Sequence, residues 1–288
     1  MVGIDLLNYL NIKRINMSRL INKVKLFPNN NDKSREIECL LKTRLELADF
    51  EVVDDSKYDL AIAIGGDGSF LRMVKNNAFD SETYYVGVNA GTLGFLQEIS
   101  IEDIDIFIER LNNNDFTVQT IGVQETKITT KDKNISRFFS LNEIVVRDKN
   151  LKTTKLNIEI DNELLEKYIG DGVLISTSIG STAYNLSFGG AIVYDDLHTL
   201  QITPIAPLNT KSYRDILNSI IIPENRTITI KPTPDGTDNL LVIVDGENNI
   251  YKDVLEITTI VRNKKIKCIR MSNFSYARKI NEKFLSEK

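Results

Sequence analysis

In the first third of the chain, the pattern of apolar and polar positions predicts alternating strands and helices. The run Tyr58–Ile64 is apolar except for Asp59, which is typical of a strand buried on both faces of a parallel sheet. Between Ser34 and Leu47 the apolar residues recur at helical spacing. Further strands are predicted at Val24–Phe27, Phe50–Val53 and Tyr84–Val88, and further helices at Phe70–Asn76 and Ile101–Asn112. This order predicts a Rossmann-like α/β layer.

Beyond about residue 115 the pattern changes to short runs rich in β-branched residues, separated by turn signals such as Asp161-Asn162 and Asp245-Gly246. The runs that predict strands are Thr117–Ile121, Glu125–Thr130, Glu143–Arg147, Lys155–Ile160, Val173–Thr177, Arg226–Ile230 and Leu240–Val244. The expected fold class is therefore α+β, with a Rossmann-like α/β N-terminal domain and an all-β C-terminal domain.

The same pattern sets the expected domain boundaries. We expect a disordered extension over residues 1–16, an α/β domain over 17–115 and an all-β domain over 116–273. Helical spacing near the end of the chain predicts a last helix within 274–288 that packs back on the first domain. The 288 residues are enough for two domains with their own cores.

Charge and residue counts exclude several classes of protein. The net charge of −4 and the pI of about 5.3 disfavour a nucleic-acid partner. Cys39 and Cys268 match no metal spacing and are expected to be reduced thiols, and a single histidine, His198, excludes chemistry that needs a histidine pair. No apolar run approaches the roughly 20 residues of a membrane span. With no basic leader at the start of the chain, we expect a cytoplasmic protein without a membrane partner.

The first candidate site is Gly65-Gly66-Asp67-Gly68-Ser69, at the end of an apolar strand and the start of a helix. Ligands of open α/β sheets bind at this edge. The glycines allow close approach, and the N–H groups of the turn attract phosphate. Asp67 would repel a phosphate, so its carboxylate fits proton acceptance from a hydroxyl, or help in holding a metal at the phosphates. The alternative is an ordinary tight turn.

The second candidate is the segment Asp171–Gly190, in which a strand leads into residues that are small or carry hydroxyls. Thr182, Asn185 and Ser187 can bond sugar hydroxyls or an amide, and Tyr184 offers a flat face for a base or a nicotinamide ring. The alternative is a Ser- and Gly-rich loop before an ordinary helix.

Two weaker candidates complete the set. Asn142-Glu143 heads a predicted strand and can clasp a ribose diol or read a base edge, unless it is merely a polar strand end. The segment from Val88 to Phe95 follows a strand on the same ligand edge as the glycine turn. Its Phe95 either flanks a base or anchors the loop in the core.

Taken together, Gly-Gly-Asp-Gly-Ser, Asn-Ala-Gly-Thr-Leu-Gly-Phe, Asn-Glu and Gly-Ser-Thr-Ala-Tyr-Asn, in this order, resemble the NAD kinase family over the chain from about Val24 onward. The resemblance implies phosphorylation of the 2′-hydroxyl of the adenosine ribose of NAD. ATP would be the phosphoryl donor and Mg²⁺ or Mn²⁺ the divalent metal, held mainly by the phosphates. It also implies a homotetramer or homodimer.

The resemblance further implies roles for individual residues. Asp67 matches the general base, and Gly65, Gly66, Gly68 and Ser69 form the phosphate loop. Asp171 matches an acidic residue that reaches the ligand, in some members from a neighbouring subunit, and Ala206 matches a small residue beside the nicotinamide half. The residues implied to bind NAD are Gly68, Arg72, Phe95, Asn142, Glu143, Asp171, Thr182, Ala183, Tyr184, Asn185, Leu186, Ser187 and Ala206.

Three short stretches depart from the family pattern. Ser69 stands where many members have Thr, and Ser178-Ile179 replaces a common Pro-Thr. Tyr168-Ile169 occupies a stretch where many members carry an Arg, which removes an expected phosphate contact.

Two rival functions remain open at this stage. Lipid kinases of the diacylglycerol type and phosphofructokinases carry similar Gly-Gly-Asp-Gly turns, but they do not explain the Asn-Glu pair or the Gly-Ser-Thr-Ala-Tyr-Asn segment. A non-catalytic NAD(P) sensor would keep the pocket and lose the transfer step, which the intact Asp67 argues against.

Overall fold

The computed structural model describes residues 19–91, 94–211, 214–272 and 274–285, so the predicted extension over 1–16 lies outside the described residues. The strands are β1 (Lys23–Pro28), β2 (Glu51–Val52), β3 (Leu60–Gly65), β4 (Tyr84–Asn89), β5 (Thr117–Thr130), β6 (Ile135–Ser140), β7 (Glu143–Asp148), β8 (Thr154–Ile160), β9 (Glu163–Gly170), β10 (Gly172–Thr177), β11 (Thr199–Ile205), β12 (Ile220–Pro223), β13 (Ile228–Pro232), β14 (Leu240–Val244), β15 (Glu247–Tyr251) and β16 (Val254–Arg270). The helices are α1 (Asp32–Leu47), α2 (Asp67–Asn76), α3 (Ile104–Asn112), α4 (Tyr184–Ser187) and α5 (Tyr276–Phe284), with a 3₁₀ turn at Ile179–Thr182.

The first part of the chain is the predicted α/β layer. Strands β2, β1, β3 and β4 lie side by side and parallel. On one face, Ile62 of β3 packs in a core with Leu41 of α1 and Phe107 of α3. On the other face, Ala61 packs in a second core with Phe70 of α2. Every residue of β3 is buried, as its apolar run predicts.

The second part is a β sandwich. Strands β12, β11, β10, β7, β14 and β15 form one antiparallel sheet. Its inner face, with Ile144 and Val173, packs against Ile158 of β8 and Ile230 of β13. Strands β8 and β13 belong to the ten-stranded sheet that also contains β1 to β4. The fold is thus an N-terminal α/β part followed by an all-β part, as the sequence predicts.

The long strand β16, which the sequence pattern did not predict, connects the two parts. It pairs in parallel with β4 through Lys267 and Tyr84, and antiparallel with β5 along nearly its whole length. The pairing register with β5 shifts between Val261 and Lys265, where the polar run Arg262–Lys265 interrupts the apolar alternation. Because of this interruption, the apolar periodicity of the sequence does not reveal the strand.

Other predictions of single elements need correction. Helix α2 begins at Asp67 instead of Phe70, so the aspartate stands in the first turn of the helix. The two predicted strands between Thr117 and Thr130 are one strand. No helix in the described part of the chain is long and apolar enough to cross a bilayer.

Candidate active site

The Asp67 carboxylate is fixed by two backbone amides. Its Oδ2 accepts a hydrogen bond from the Phe95 N–H at 3.0 Å, and its Oδ1 accepts one from the Leu96 N–H at 2.8 Å. Asp67 is the first residue of α2, with Gly66 as N-cap, so its carboxylate lies at the positive end of the helix dipole. The side chain is half-buried and therefore ordered but still open to a ligand.

Two glycines make this arrangement sterically possible. Gly65 ends β3 at φ +153°, and a Cβ there would lie 2.4 Å from Ser69 Oγ. A Cβ on Gly94 would lie only 2.3 Å from Asp67 Oδ1. Any larger residue at 94 would push the carboxylate from its cradle. Thr92 and Leu93 of the same motif lie outside the described residues.

Asn142 and Glu143 are held by a second aspartate, Asp245. Its carboxylate accepts hydrogen bonds from the N–H groups of Leu141 at 2.8 Å, Asn142 at 2.8 Å and Glu143 at 3.2 Å. The sequence indicated only a turn at Asp245-Gly246. The sequence signal for this contact is an acidic residue directly after a predicted apolar strand. Burial raises the pKa of Asp245, against the three N–H groups that lower it.

Glu143 is a buried acid at the centre of the candidate NAD site. Burial, and then the charge of Asp245, raises the pKa of Glu143 to about 8, while a hydrogen bond from the Tyr184 N–H opposes the shift. Its Oε2 is buried with no hydrogen-bond partner among the described residues. A buried oxygen of this kind normally has a partner, so a ligand group is the natural one.

The segment from Thr182 to Ser187 divides into groups that support the loop and groups that remain available. Asn185 is fully buried; its amide donates to Ser181 O at 3.1 Å and to Ala191 O at 3.4 Å, and accepts from Thr203 at 2.6 Å. Asn185 therefore shapes the loop, in contrast to the expected sugar contact. Tyr184 is 41% exposed, with its ring edge-on to Phe188. The other predicted residues, Thr182, Ala183, Leu186 and Ser187, are half-buried or exposed.

Asp171 and Ala206 stand apart from these groups. The Asp171 N–H donates to Ile205 O at 2.9 Å, so the two predicted residues are neighbours across β10 and β11. They lie at the start of β10, whereas the 3₁₀ turn and Tyr184 follow its end. Six residues of β10 span about 17 Å.

A cavity of about 720 Å³ opens beside Gly68, between α2 and the β14–β15 hairpin. Arg72 lines it and donates to Asn29 at 3.0 Å and Ser69 at 3.2 Å. The other basic residues of its wall are Lys75, Arg137 and Lys264. Lys75 pairs with Glu247, Arg137 pairs with Glu125 at 2.7 Å, and Lys264 Nζ lies 4.8 Å from the Phe139 ring centre. Asp245 and Glu247 also line the cavity, so four basic residues face two acidic ones, with the Phe138 and Phe139 rings as aromatic surface.

Phe95 contributes its backbone to the site while its ring packs away from it. The ring centre lies 6.0 Å from that of Tyr276 and 5.5 Å from that of Phe284, both on α5. The reading of Phe95 as a loop anchor is thus favoured over a base contact. Helix α5 also brings Lys279 against this loop, a contact that sequence reasoning missed.

The departures from the family pattern have structural partners. Ser178 Oγ bonds the carbonyl of Leu197, and Ile179 packs in the α2 core. The Tyr168 hydroxyl is buried and donates to Ile205 O at 2.6 Å. These side chains serve the core, so they cannot replace the missing arginine.

Chemically, a carboxylate fixed at a helix N-terminus can take a proton from an alcohol, and the basic cavity beside it can hold a polyphosphate. This pairing places the molecule among the two-domain kinases that phosphorylate alcohols.

Known proteins are similar to nearly the whole chain. The family model described as ATP-NAD kinase N-terminal domain matches residues 13–116, and the ATP-NAD kinase C-terminal domain matches 141–271. An NAD kinase of Finegoldia magna is 37% identical, covering 94% of this chain and 99% of that protein. NAD kinase 2 of Halalkalibacterium halodurans is 30% identical, covering 92% and 98%. The chain belongs to the NAD kinase family.

Solved structures show the same fold. The yeast NADH kinase complexed with NADH superposes with a TM-score of 0.80 at 24% identity, over 94% of this chain and 90% of that one. An NAD kinase from Archaeoglobus fulgidus in complex with ATP gives 0.69 at 20% identity, over 91% and 98%.

Proposed function

We propose that the chain phosphorylates the 2′-hydroxyl of the adenosine ribose of NAD, with ATP as donor, and that Asp67 is the general base. The proposal is supported above all by the two amides that fix the Asp67 carboxylate in the first turn of α2. Each Asp67 oxygen has a second lone pair that can accept a hydrogen bond from a substrate hydroxyl.

The proposed reaction is a direct transfer. The 2′-hydroxyl gives its proton to Asp67, and its oxygen attacks the γ-phosphorus of ATP in line. A new O–P bond forms, the bond from the γ-phosphorus to the β-γ bridging oxygen breaks, and ADP leaves. Positioning and electrostatics supply most of the rate, with about 10²- to 10⁴-fold from the general base.

The acceptor would be held on the side of Asn142, Glu143 and Tyr184. The unpartnered Glu143 Oε2 is suited to a ribose hydroxyl or a base N–H group of NAD. The exposed ring of Tyr184 gives an aromatic base or the nicotinamide a flat surface.

The donor would occupy the basic cavity beside Gly68. Its volume of about 720 Å³ is sufficient for a nucleotide, and it lies next to the turn that carries Asp67. Gly68 stands in the first turn of α2, where the phosphates would meet the helix N-terminus, and Arg72 and Lys75 line the cavity further along the helix. Phe139, under Lys264, offers a surface to the adenine.

A divalent metal fits this scheme as a companion of the phosphates. Over the described ranges, no group of three His, Cys, Asp or Glu side chains could hold an ion by itself. The phosphate oxygens would therefore supply most ligands, and the carboxylates at hand are Asp67, next to Gly68, and Asp245 and Glu247, which line the donor cavity. The metal would offset the charge that develops on the transferred group.

Asp171 would reach NAD bound to a neighbouring copy, as the family resemblance implies for some members, and Ala206 would lie beside the nicotinamide half; the length of β10, about 17 Å, separates Asp171 from the turn that precedes Tyr184. A homodimer or homotetramer, as the family resemblance implies, would supply that copy. We place the enzyme in the cytoplasm, the usual compartment for two unpaired cysteines.

One assay tests the function: NADP formation from NAD, ATP and Mg²⁺ by the purified chain. Steady turnover that depends on all three supports the proposal. Tight NAD binding without product would instead indicate a sensor. Phosphorylation of a sphingoid base or of fructose 6-phosphate, with none of NAD, would indicate another kinase.

A further inference from the structure

Lys279 of α5 is a buried cation directly behind the catalytic carboxylate. The residue is only 9% exposed, and its Nζ donates hydrogen bonds to the Phe95 carbonyl at 3.1 Å and to the Gln97 carbonyl. These carbonyls belong to the same short segment whose amides hold Asp67. The last helix of the chain thus contacts the cradle of the proposed base.

One peptide group connects the ammonium to the carboxylate. The Phe95 carbonyl and the Leu96 N–H belong to the same peptide plane; the carbonyl accepts from Lys279, and the N–H donates to Asp67 Oδ1 at 2.8 Å. Hydrogen bonds in such a chain polarise one another and become stronger. Lys279 therefore fixes the orientation of the N–H group that orients Asp67.

The charges around Lys279 argue against a purely structural role, because burying them costs free energy. Glu98 Oε2 lies 3.6 Å from Lys279 Nζ and 3.1 Å from Arg270, and Arg270 also lies 3.9 Å from Asp195. Burial, then the like charge of Arg270, lowers the pKa of Lys279 to about 8, against Glu98 and Asp67, which raise it. The ring of Phe274 also faces the ammonium at 5.0 Å. A buried network of this kind rarely stabilises more than apolar packing would.

We propose that Lys279 is a positioning residue for phosphoryl transfer, which holds the Phe95–Gln97 segment and through it the Asp67 carboxylate. This role rests on the proposed function of Asp67. It requires that loss of the ammonium lowers turnover while NAD binding, on the side of Glu143, remains. If Lys279 served only to anchor α5, its loss would lower the stability of the protein. The kcat of the molecules that remain folded would then be unchanged.

The test compares Lys279→Met with Lys283→Met, an exposed lysine one turn further along the same helix. We expect the first variant to lose about ten- to a hundredfold in kcat, the scale of a misplaced catalytic group, with the KM for NAD within about twofold. The control is expected to match the wild type. Lys279→Arg, which keeps the charge and the donors, is expected to retain more turnover than the methionine variant. Thermal melting and NAD titration verify that each protein is folded.

Three results would overturn the proposal: a folded Lys279→Met enzyme with the kcat of the control, a loss confined to KM, or equal losses in the Met and Arg variants. If the single variant does not fold, Glu98→Gln/Lys279→Met removes both charges of the pair, and its kcat is compared with that of Glu98→Gln alone. A wild-type enzyme that makes no NADP would refute the proposed function itself, so the two failures are distinguishable.

Discussion

Glu143→Gln isolates the energetic cost of the buried acid in the NAD site. The glutamine has nearly the same shape but cannot titrate, so the variant removes the proton equilibrium and replaces one carboxyl oxygen with an NH₂ group. In the unfolded chain the carboxyl loses its proton near pH 4.5, whereas the folded protein keeps it until about pH 8. Between these values the folded state binds more protons, so the stability of the wild type falls as the pH rises.

The expected magnitude follows from that shift. At about 1.4 kcal/mol for each pKa unit, the upper bound is about 5 kcal/mol above pH 8, and local relaxation reduces it. We therefore expect the unfolding free energy of Glu143→Gln to exceed that of the wild type by a margin that grows by at least about 2 kcal/mol between pH 5 and pH 8.5.

The assay is urea unfolding of the ligand-free proteins at several pH values, with Glu163→Gln as control because Glu163 is an exposed glutamate. The control is expected to follow the wild type. Because the charge of Asp245 raises the Glu143 pKa, the two acids titrate together, and the difference between wild type and Glu143→Gln reports the titration of the pair. Stability curves of wild type and Glu143→Gln that stay parallel over this range would refute the buried-acid reasoning. The NAD affinity of the variant should fall, because an NH₂ group replaces a carboxyl oxygen that could accept a hydrogen bond from NAD.

The remaining predictions concern catalysis. Asp67→Asn should reduce kcat at least about a hundredfold while calorimetry still detects NAD binding; near-normal turnover would exclude the general-base role. Gly94→Ala should also lower kcat, because its Cβ would meet Asp67 Oδ1 at 2.3 Å; an unchanged kcat would show that the cradle adapts. Arg137→Ala/Lys264→Ala should raise the KM for ATP about tenfold or more with the KM for NAD unchanged, and an effect on NAD alone would place the donor elsewhere.

Local pattern was sufficient to predict much of the fold. The strand at Leu240–Val244 was predicted at its observed bounds, and the apolar run that ends at Ile64 was correctly predicted as a strand with both faces covered. Strand β16 was not predicted, because a polar run interrupts its apolar alternation and because its partner Tyr84 is far away in sequence. Local pattern carries no information on such distant pairing.

The candidate site divides in the same way. Motif chemistry singled out Asp67, Glu143 and Tyr184, whose roles stay predictions. It did not find Asp245 or Lys279, because a residue that supports another by contact with backbone amides or carbonyls has no required spacing. Asn185 shows the converse: its place in the motif predicted a ligand contact, whereas its amide is consumed inside the loop.

The position of β16 also affects how the protein acquires its shape during synthesis. Strand β4 lacks its neighbour β16 until Lys267 has been synthesised. The α/β layer therefore carries an unpaired edge while some 180 intervening residues are translated. Contacts so distant in sequence slow folding. We expect nascent chains that end before β16 to be prone to aggregation and to depend on chaperones, because their exposed edge can recruit strands from other molecules.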